Sequence, residues 1–334
     1  MIFNILVVCS VFMKVELLME RFVCESDIPD TLWNKAKQTL FLPAPLIDRW
    51  KTILKANNLF LKASTDAPES FVGGMSKEDT DNHFAWRFNG SCARIILSLL
   101  DPKNELSLIS DVYAKFFSGN KLFIVDLPSG SGAASAALLT TISELRKQNI
   151  LPREPLYVTI VGGEISTYAQ EYAKSLLISL QSEFNDQAIW IDFKFLDWDV
   201  CNPISNSDLV RKLTLIGQDC NSRLIILANF SDFLHKQNKW DKAKAQLAEI
   251  FRHSRDNSSV AIWIEPSRNE VKQGFFKRIS TLFSNIWGRK ASNASPSDES
   301  MIYAESNCLT DHPLRPGCFR TNLVIKHFEL PMDI

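Results

Sequence analysis

The chain has 334 residues, 37 Lys+Arg against 38 Asp+Glu and 46% apolar residues, an ordinary folded composition that excludes disorder, collagen and coiled coil. A formal net charge of -1 and a pI near 6.5 provide no whole-chain field for gripping a phosphate backbone, so any nucleic-acid contact has to come from a local patch. Seven scattered cysteines do not suit a secreted disulfide framework; a reducing cytosol or organelle matrix is expected, and a cytoplasmic location without membrane association.

The first 13 residues, MIFNILVVCSVFM, are apolar. No basic residue precedes them and no small-residue cleavage site follows, so a buried first element, or translation from Met13 or Met19, is expected rather than a leader. From Asp27 to about Leu61 the spacing of Leu32, Trp33, Ala36, Leu40, Leu46, Trp50, Ile53 and Leu54 predicts helices punctuated by Pro43 and Pro45. Residues 63–81 are rich in Ser, Thr, Asp, Gly and Pro and read as a surface loop. Helical periodicity returns over 84–100 and 106–117, which makes residues 1–118 an N-terminal helical region.

From Lys121 the pattern changes. Strand-like runs occupy 122–127, 156–163, 189–196, 224–230 and 260–266, and amphipathic stretches at 133–148, 166–182, 208–216, 240–253 and 271–287 follow them in turn. Residues 119–334 therefore read as an α/β domain, a Rossmann-like, doubly wound and mainly parallel sheet whose near-continuous apolar strands are buried on both faces. A polar insert at 289–300 precedes two more expected strands, 301–305 and 321–329.

The sharpest local signal is Asp126-Leu127-Pro128-Ser129-Gly130-Ser131-Gly132, which ends the first strong strand and opens an Ala-rich helix. In a doubly wound fold the ligand crevice lies beyond the carboxyl ends of the strands, where glycines let the backbone approach a nucleoside. An acid followed by small residues fits the loop of S-adenosylmethionine-dependent methyltransferases better than the GxGxxG of nicotinamide enzymes. A plain strand-to-helix turn accounts for the same residues. Glu164, at the end of the second strand, is placed to accept from both ribose hydroxyls or to serve as a helix-start carboxylate before Ser166. Asp197 could take an adenine amino group with Trp198 over the ring; a solvated loop with a half-buried tryptophan fits equally. The fourth strand runs into Asn229 and Asp232, its carboxyl end facing the same crevice, so that either residue could position a substrate, but no NPPY-type amino-methylation motif is present.

Cys308, His312, Cys318 and His327 lack a CxxC pair, so no metal is expected. Residues 234–290 carry twelve Lys and Arg against five Asp and Glu, enough for a basic face over 236–290 that could meet RNA or an acidic partner, with the N-terminal helices as a second contact. A solvated helix face has the same composition.

With these residues in view, Lys121 to about Leu330 resembles a class I methyltransferase. More specifically the chain is similar to the methyltransferase-like family that assembles on the small subunit of mitochondrial ribosomes and to its bacterial relatives. HFAWRFNGSCARIILSLL at 83–100, the DLPSGSG loop, LIILANFSDFL at 224–234 and WIEPSRNEVKQGFFKRISTL at 263–282 carry the resemblance, the Glu265-Pro266 pair most specifically. It implies S-adenosylmethionine as cofactor, held by Asp126, Pro128, Ser129, Gly130, Gly132, Glu164, Asp197, Trp198 and Asn229, and RNA or a ribonucleoprotein as acceptor. Two departures stand out: Pro128 replaces the first loop glycine, and the family's cysteine cluster is reduced to Cys308 and Cys318 near His312. They leave a catalytically inactive scaffold as the alternative to an active transferase.

Overall fold

The computed structural model describes residues 21–68, 75–267, 272–286 and 303–330. The apolar start of the chain and the insert at 289–300 lie outside them.

Over 27–40 the expected helix is replaced by a short hairpin, β1 (Trp33–Asn34) with β2 (Thr39–Leu40). Asn34 Oδ1 accepts the Lys37 N–H at 2.9 Å and Gln38 takes φ 47°, so a side chain and a left-handed residue close a turn where a helix would need neither. Leu32, Trp33 and Leu40 are buried, but Ala36 is exposed; so short an apolar pattern does not distinguish the two periods. Pro45 then sits in the first turn of α1 (Ala44–Ala56), which buries Leu46, Ile47, Trp50, Ile53 and Leu54.

After α2 (Phe60–Ala63), the stretch predicted as loop turns helical at Lys77, because Ser76 Oγ accepts the Asp79 N–H at 3.1 Å and caps α3 (Lys77–Trp86). Where periodicity predicts one helix over 84–100, α3 ends and α4 (Phe88–Leu100) begins around Arg87. The helix α5 (Ser107–Phe117) follows.

From β3 (Lys121–Asp126) the alternation runs through α6 (Ala133–Lys147), β4 (Leu156–Gly163), α7 (Thr167–Asp186), β5 (Ile189–Leu196), α8 (Pro203–Ile216) and β6 (Ser222–Ala228). A short α9 (Ser231–Lys236), which the sequence did not predict, precedes α10 (Trp240–His253), β7 (Ser259–Glu265) and α11 (Lys272–Ile286). The chain closes with the antiparallel pair β8 (Ala304–Asp311) and β9 (Cys318–Glu329). Among the described residues nine strands form one sheet in the order β1-β2-β8-β9-β7-β6-β3-β4-β5. The run β5-β4-β3-β6-β7 is parallel throughout, and β9 runs against both of its neighbours. The fold is α/β and Rossmann-like, with its topological switch point between β3 and β6.

Alternate strand residues divide between two cores. Leu122, Ile124, Leu224 and Ile226 pack with α1 and α4 to α7; Phe123, Val125, Ile225 and Leu227 pack with α8, α10 and α11. Burial on both faces explains why these strands read as unbroken apolar runs. β8 is longer than predicted because its inward residues Ser306, Cys308 and Thr310 are small and partly polar, which mutes the alternation. Thr310 and Thr321 hydroxyls meet at 2.6 Å there. No helix among the described residues is long and apolar enough to cross a membrane.

Candidate functional site

The carboxyl end of β3 delivers Asp126 into a buried position, where its Oδ2 accepts the Ser135 hydroxyl at 2.8 Å and the Ser135 N–H at 3.3 Å. Burial pushes the carboxyl up to about 7, opposed by the Ser135 donors and reinforced by the nearby Glu164 charge. Asp126 thereby ties the strand end to the first turn of α6.

The loop that follows is held to the next strand by two backbone donors. The Ser129 N–H bonds the Gly163 carbonyl at 3.0 Å, and the Gly130 N–H bonds Glu164 Oε2, also at 3.0 Å. Its two glycines do different work. Gly132, at φ 77°, caps α6 where an added Cβ would lie 3.0 Å from Ala173 Cβ and 3.2 Å from its Cα, so it lets α7 approach. Gly130, at φ 49°, has nothing within 4 Å of its Cβ position and borders open space. Half-buried Pro128 precedes them.

Glu164 is buried, and each carboxylate oxygen takes one backbone donor, Ser166 N at 2.8 Å on Oε1 and Gly130 N on Oε2. Burial raises its pKa, the amide donors oppose this, and the charge of Asp197 adds to the rise. Asp197 itself is exposed at the end of β5. Gly162 and Gly163 at the end of β4 make this arrangement possible. A Cβ on Gly162 would fall 2.4 Å from the Phe195 ring and 2.8 Å from Ser129 Oγ; one on Gly163 would fall 2.5 Å from Leu127. Sequence reasoning passed over both, although paired glycines closing a strand are the available signal.

The structure thus brings Asp126, Ser129, Gly130, Gly132, Glu164 and Asp197 to adjoining strand ends. Trp198 points elsewhere: its ring is buried in the second core and its Nε1–H donates to Asn206 Oδ1 at 3.1 Å. Asn229 lies across the switch point at φ 57°, donating from Nδ2 to Ser91 Oγ of α4 at 3.1 Å. Asn229 Oδ1, Asn89 Oδ1 and Ser129 Oγ are buried acceptors without a partner among the described residues.

Periodicity located α4 as a helix but not its place in the fold, and its start covers this end of the sheet. Cys92 Sγ reaches the Ala133 carbonyl at 3.7 Å, and His83 is pushed down to about 4 by burial and by the charges of Arg87 and Arg94. At the end of β7, Glu265 Oε1 collects the Phe230 N–H, Ser231 N–H and Trp263 Nε1–H at 2.7–2.9 Å, which explains why an acid precedes Pro266. Cys308 is an inward core residue, and His312 Nδ1 accepts the Leu314 N–H. Among the described residues no group of three or more His, Cys, Asp and Glu side chains is placed to hold a metal ion. No protein-family profile matches the chain, and no curated protein is significantly similar to it.

Proposed function

We propose that the crevice beyond β3, β4 and β5 binds S-adenosylmethionine and that the chain is a methyltransferase-fold protein of class I type acting on, or within, an RNA or ribonucleoprotein. The observation that carries this reading is the Glu164 carboxylate on the Gly130 amide. A dinucleotide pyrophosphate wants such loop amides for itself and would meet a carboxylate there. A ribose diol donates to carboxylates, and a sulfonium cation is favoured by the acids at three neighbouring strand ends. The strand order supports a ligand crevice at this place, since β3 and β6 are neighbours at the switch point of the parallel sheet, beyond whose carboxyl ends such folds bind their ligands.

Asp126, Ser129, Gly130, Glu164 and Asp197 would hold the cofactor, with Asn229 as the far wall. When bound, it supplies an already activated methyl carbon, so the chain's contribution is positioning. A second reading, a catalytically inactive scaffold, draws on α10 and α11, which pack together and expose Lys242, Lys244, Arg252, Lys277 and Arg278. That basic stripe suits an RNA or acidic protein partner whether or not a methyl group is transferred. Calorimetric titration with S-adenosylmethionine, S-adenosylhomocysteine and NAD tests the cofactor assignment: the first two bind and NAD does not. Binding of NAD alone would refute it.

A further inference from the structure

At the opposite end of the sheet, where β6 and β7 begin, lies a polar cavity of about 240 Å³ between the end of α8 and the turn before β7. It is too far from the carboxyl ends of the strands to belong to the crevice. Arg223 and Ser259, near the starts of the two strands, both line it. Arg223 stands in register with Phe123 on the neighbouring strand, and its guanidinium lies over the Phe123 ring, 5.3 Å from the centroid.

Gly217 completes the slot. A Cβ there would fall 2.6 Å from the Phe123 ring and 2.8 Å from an Arg223 terminal nitrogen. The guanidinium is therefore confined between the Phe123 ring and the Gly217 backbone, which limits the freedom it would lose on binding a ligand. Its Nε–H is buried with no acceptor, and so is the Ser259 hydroxyl. Orphaned buried donors of this kind are rare, and each calls for a partner.

We infer that this cavity is a binding site for a phosphate group, free or as a small monoester, gripped by the Arg223 fork and the Ser259 hydroxyl. Arg255 also lines the cavity and adds a second positive charge. Asp256 is the opposing charge, but its Oδ1 is engaged by the Ser258 N–H and hydroxyl, each at 2.9 Å. Cys220 adds no negative charge, since burial pushes its thiol up. Burial lowers the Arg223 pKa, with Asp256 opposing the fall; a bound dianion would stabilise the guanidinium further. The volume falls below the roughly 300–1,000 Å³ of drug-sized pockets, which favours a single phosphate over a nucleotide.

The test uses the full chain, with thermal unfolding and calorimetry in inorganic phosphate and in glycerol 3-phosphate, against sodium chloride at matched ionic strength. Phosphate is expected to raise the melting temperature beyond chloride. Arg223→Gln should weaken the interaction at least tenfold and Ser259→Ala at least threefold, both with S-adenosylmethionine titrations unchanged. If Arg223→Gln does not fold, Ser259→Ala and Arg255→Gln carry the test. Tighter binding of the monoester assigns the site to an ester, and equal binding to free phosphate. No effect beyond chloride, or undiminished binding in the folded variants, would overturn the proposal.

Discussion

Glu164 on one strand end accepts the Gly130 N–H of the loop on the next at 3.0 Å, so the acid that reads as a ribose ligand also clamps the loop that reads as the cofactor cradle. Two of its roughly four lone-pair positions are used by backbone donors, which leaves capacity for a ligand's hydroxyls. Glu164→Ala would strip acceptors from Gly130 and Ser166 together. The variant is expected to lose about 1–3 kcal/mol of stability and to bind S-adenosylmethionine at least tenfold more weakly, read by denaturant unfolding and by calorimetry. Unchanged stability would mean that the clamp is not made.

Asp126 supplies a pH signature. Its folded pKa of about 7 lies above the ordinary value of 3.8, so between these two values the native chain keeps a proton that the unfolded chain has lost. Stability must then fall as pH rises through that window, with the loss complete above about 7. Relative to Asp126→Asn, the wild type should lose about 2–4 kcal/mol between about pH 4 and about pH 8. Urea unfolding of both proteins across the window checks this, and a flat difference would contradict it.

The two loop glycines should separate in mutagenesis. Gly132→Ala brings a Cβ against the Ala173 backbone as well as imposing a left-handed φ, and should cost clearly more than the 1–2 kcal/mol or so of the conformation alone. Gly130→Ala meets open space and should cost only about that conformational amount. Equal melting temperatures for the two variants would remove the distinction.

Most of the sheet was legible because strands buried on both faces leave unbroken apolar runs, and β4 and β5 match their predicted limits. The hairpin at 33–40 was not, because Leu32, Trp33 and Leu40 satisfy either period, and the decision fell to the Asn34 turn. The end of β8 was hidden by inward Ser306 and Thr310. Within the site, Asp126, Gly130 and Glu164 could be located from strand ends alone. The inward turn of Trp198 could not, because it depends on Asn206, eight residues later, whose amide in turn reaches Glu249 and the Gln246 carbonyl. The role of α4 depends on pairings such as Asn229 with Ser91, 138 residues apart.

The basic stripe makes a separate prediction. Lys242→Glu, Lys277→Glu and Arg278→Glu together should leave S-adenosylmethionine affinity unchanged and weaken single-stranded RNA binding, with a salt slope shallower by about 0.7 for each phosphate no longer neutralised. Fluorescence anisotropy at stepped salt measures both quantities. An unchanged RNA affinity and slope would remove the stripe from the interface.

The most direct measurement is calorimetry of the wild type beside Gly130→Val, at a loop position where a branched side chain enters open space rather than α7. One S-adenosylmethionine should bind per wild-type chain, and binding should be lost in a Gly130→Val protein whose near-ultraviolet dichroism remains native. A wild type that binds neither S-adenosylmethionine nor S-adenosylhomocysteine, or a folded Gly130→Val that binds as tightly as the wild type, would contradict the assignment of the crevice.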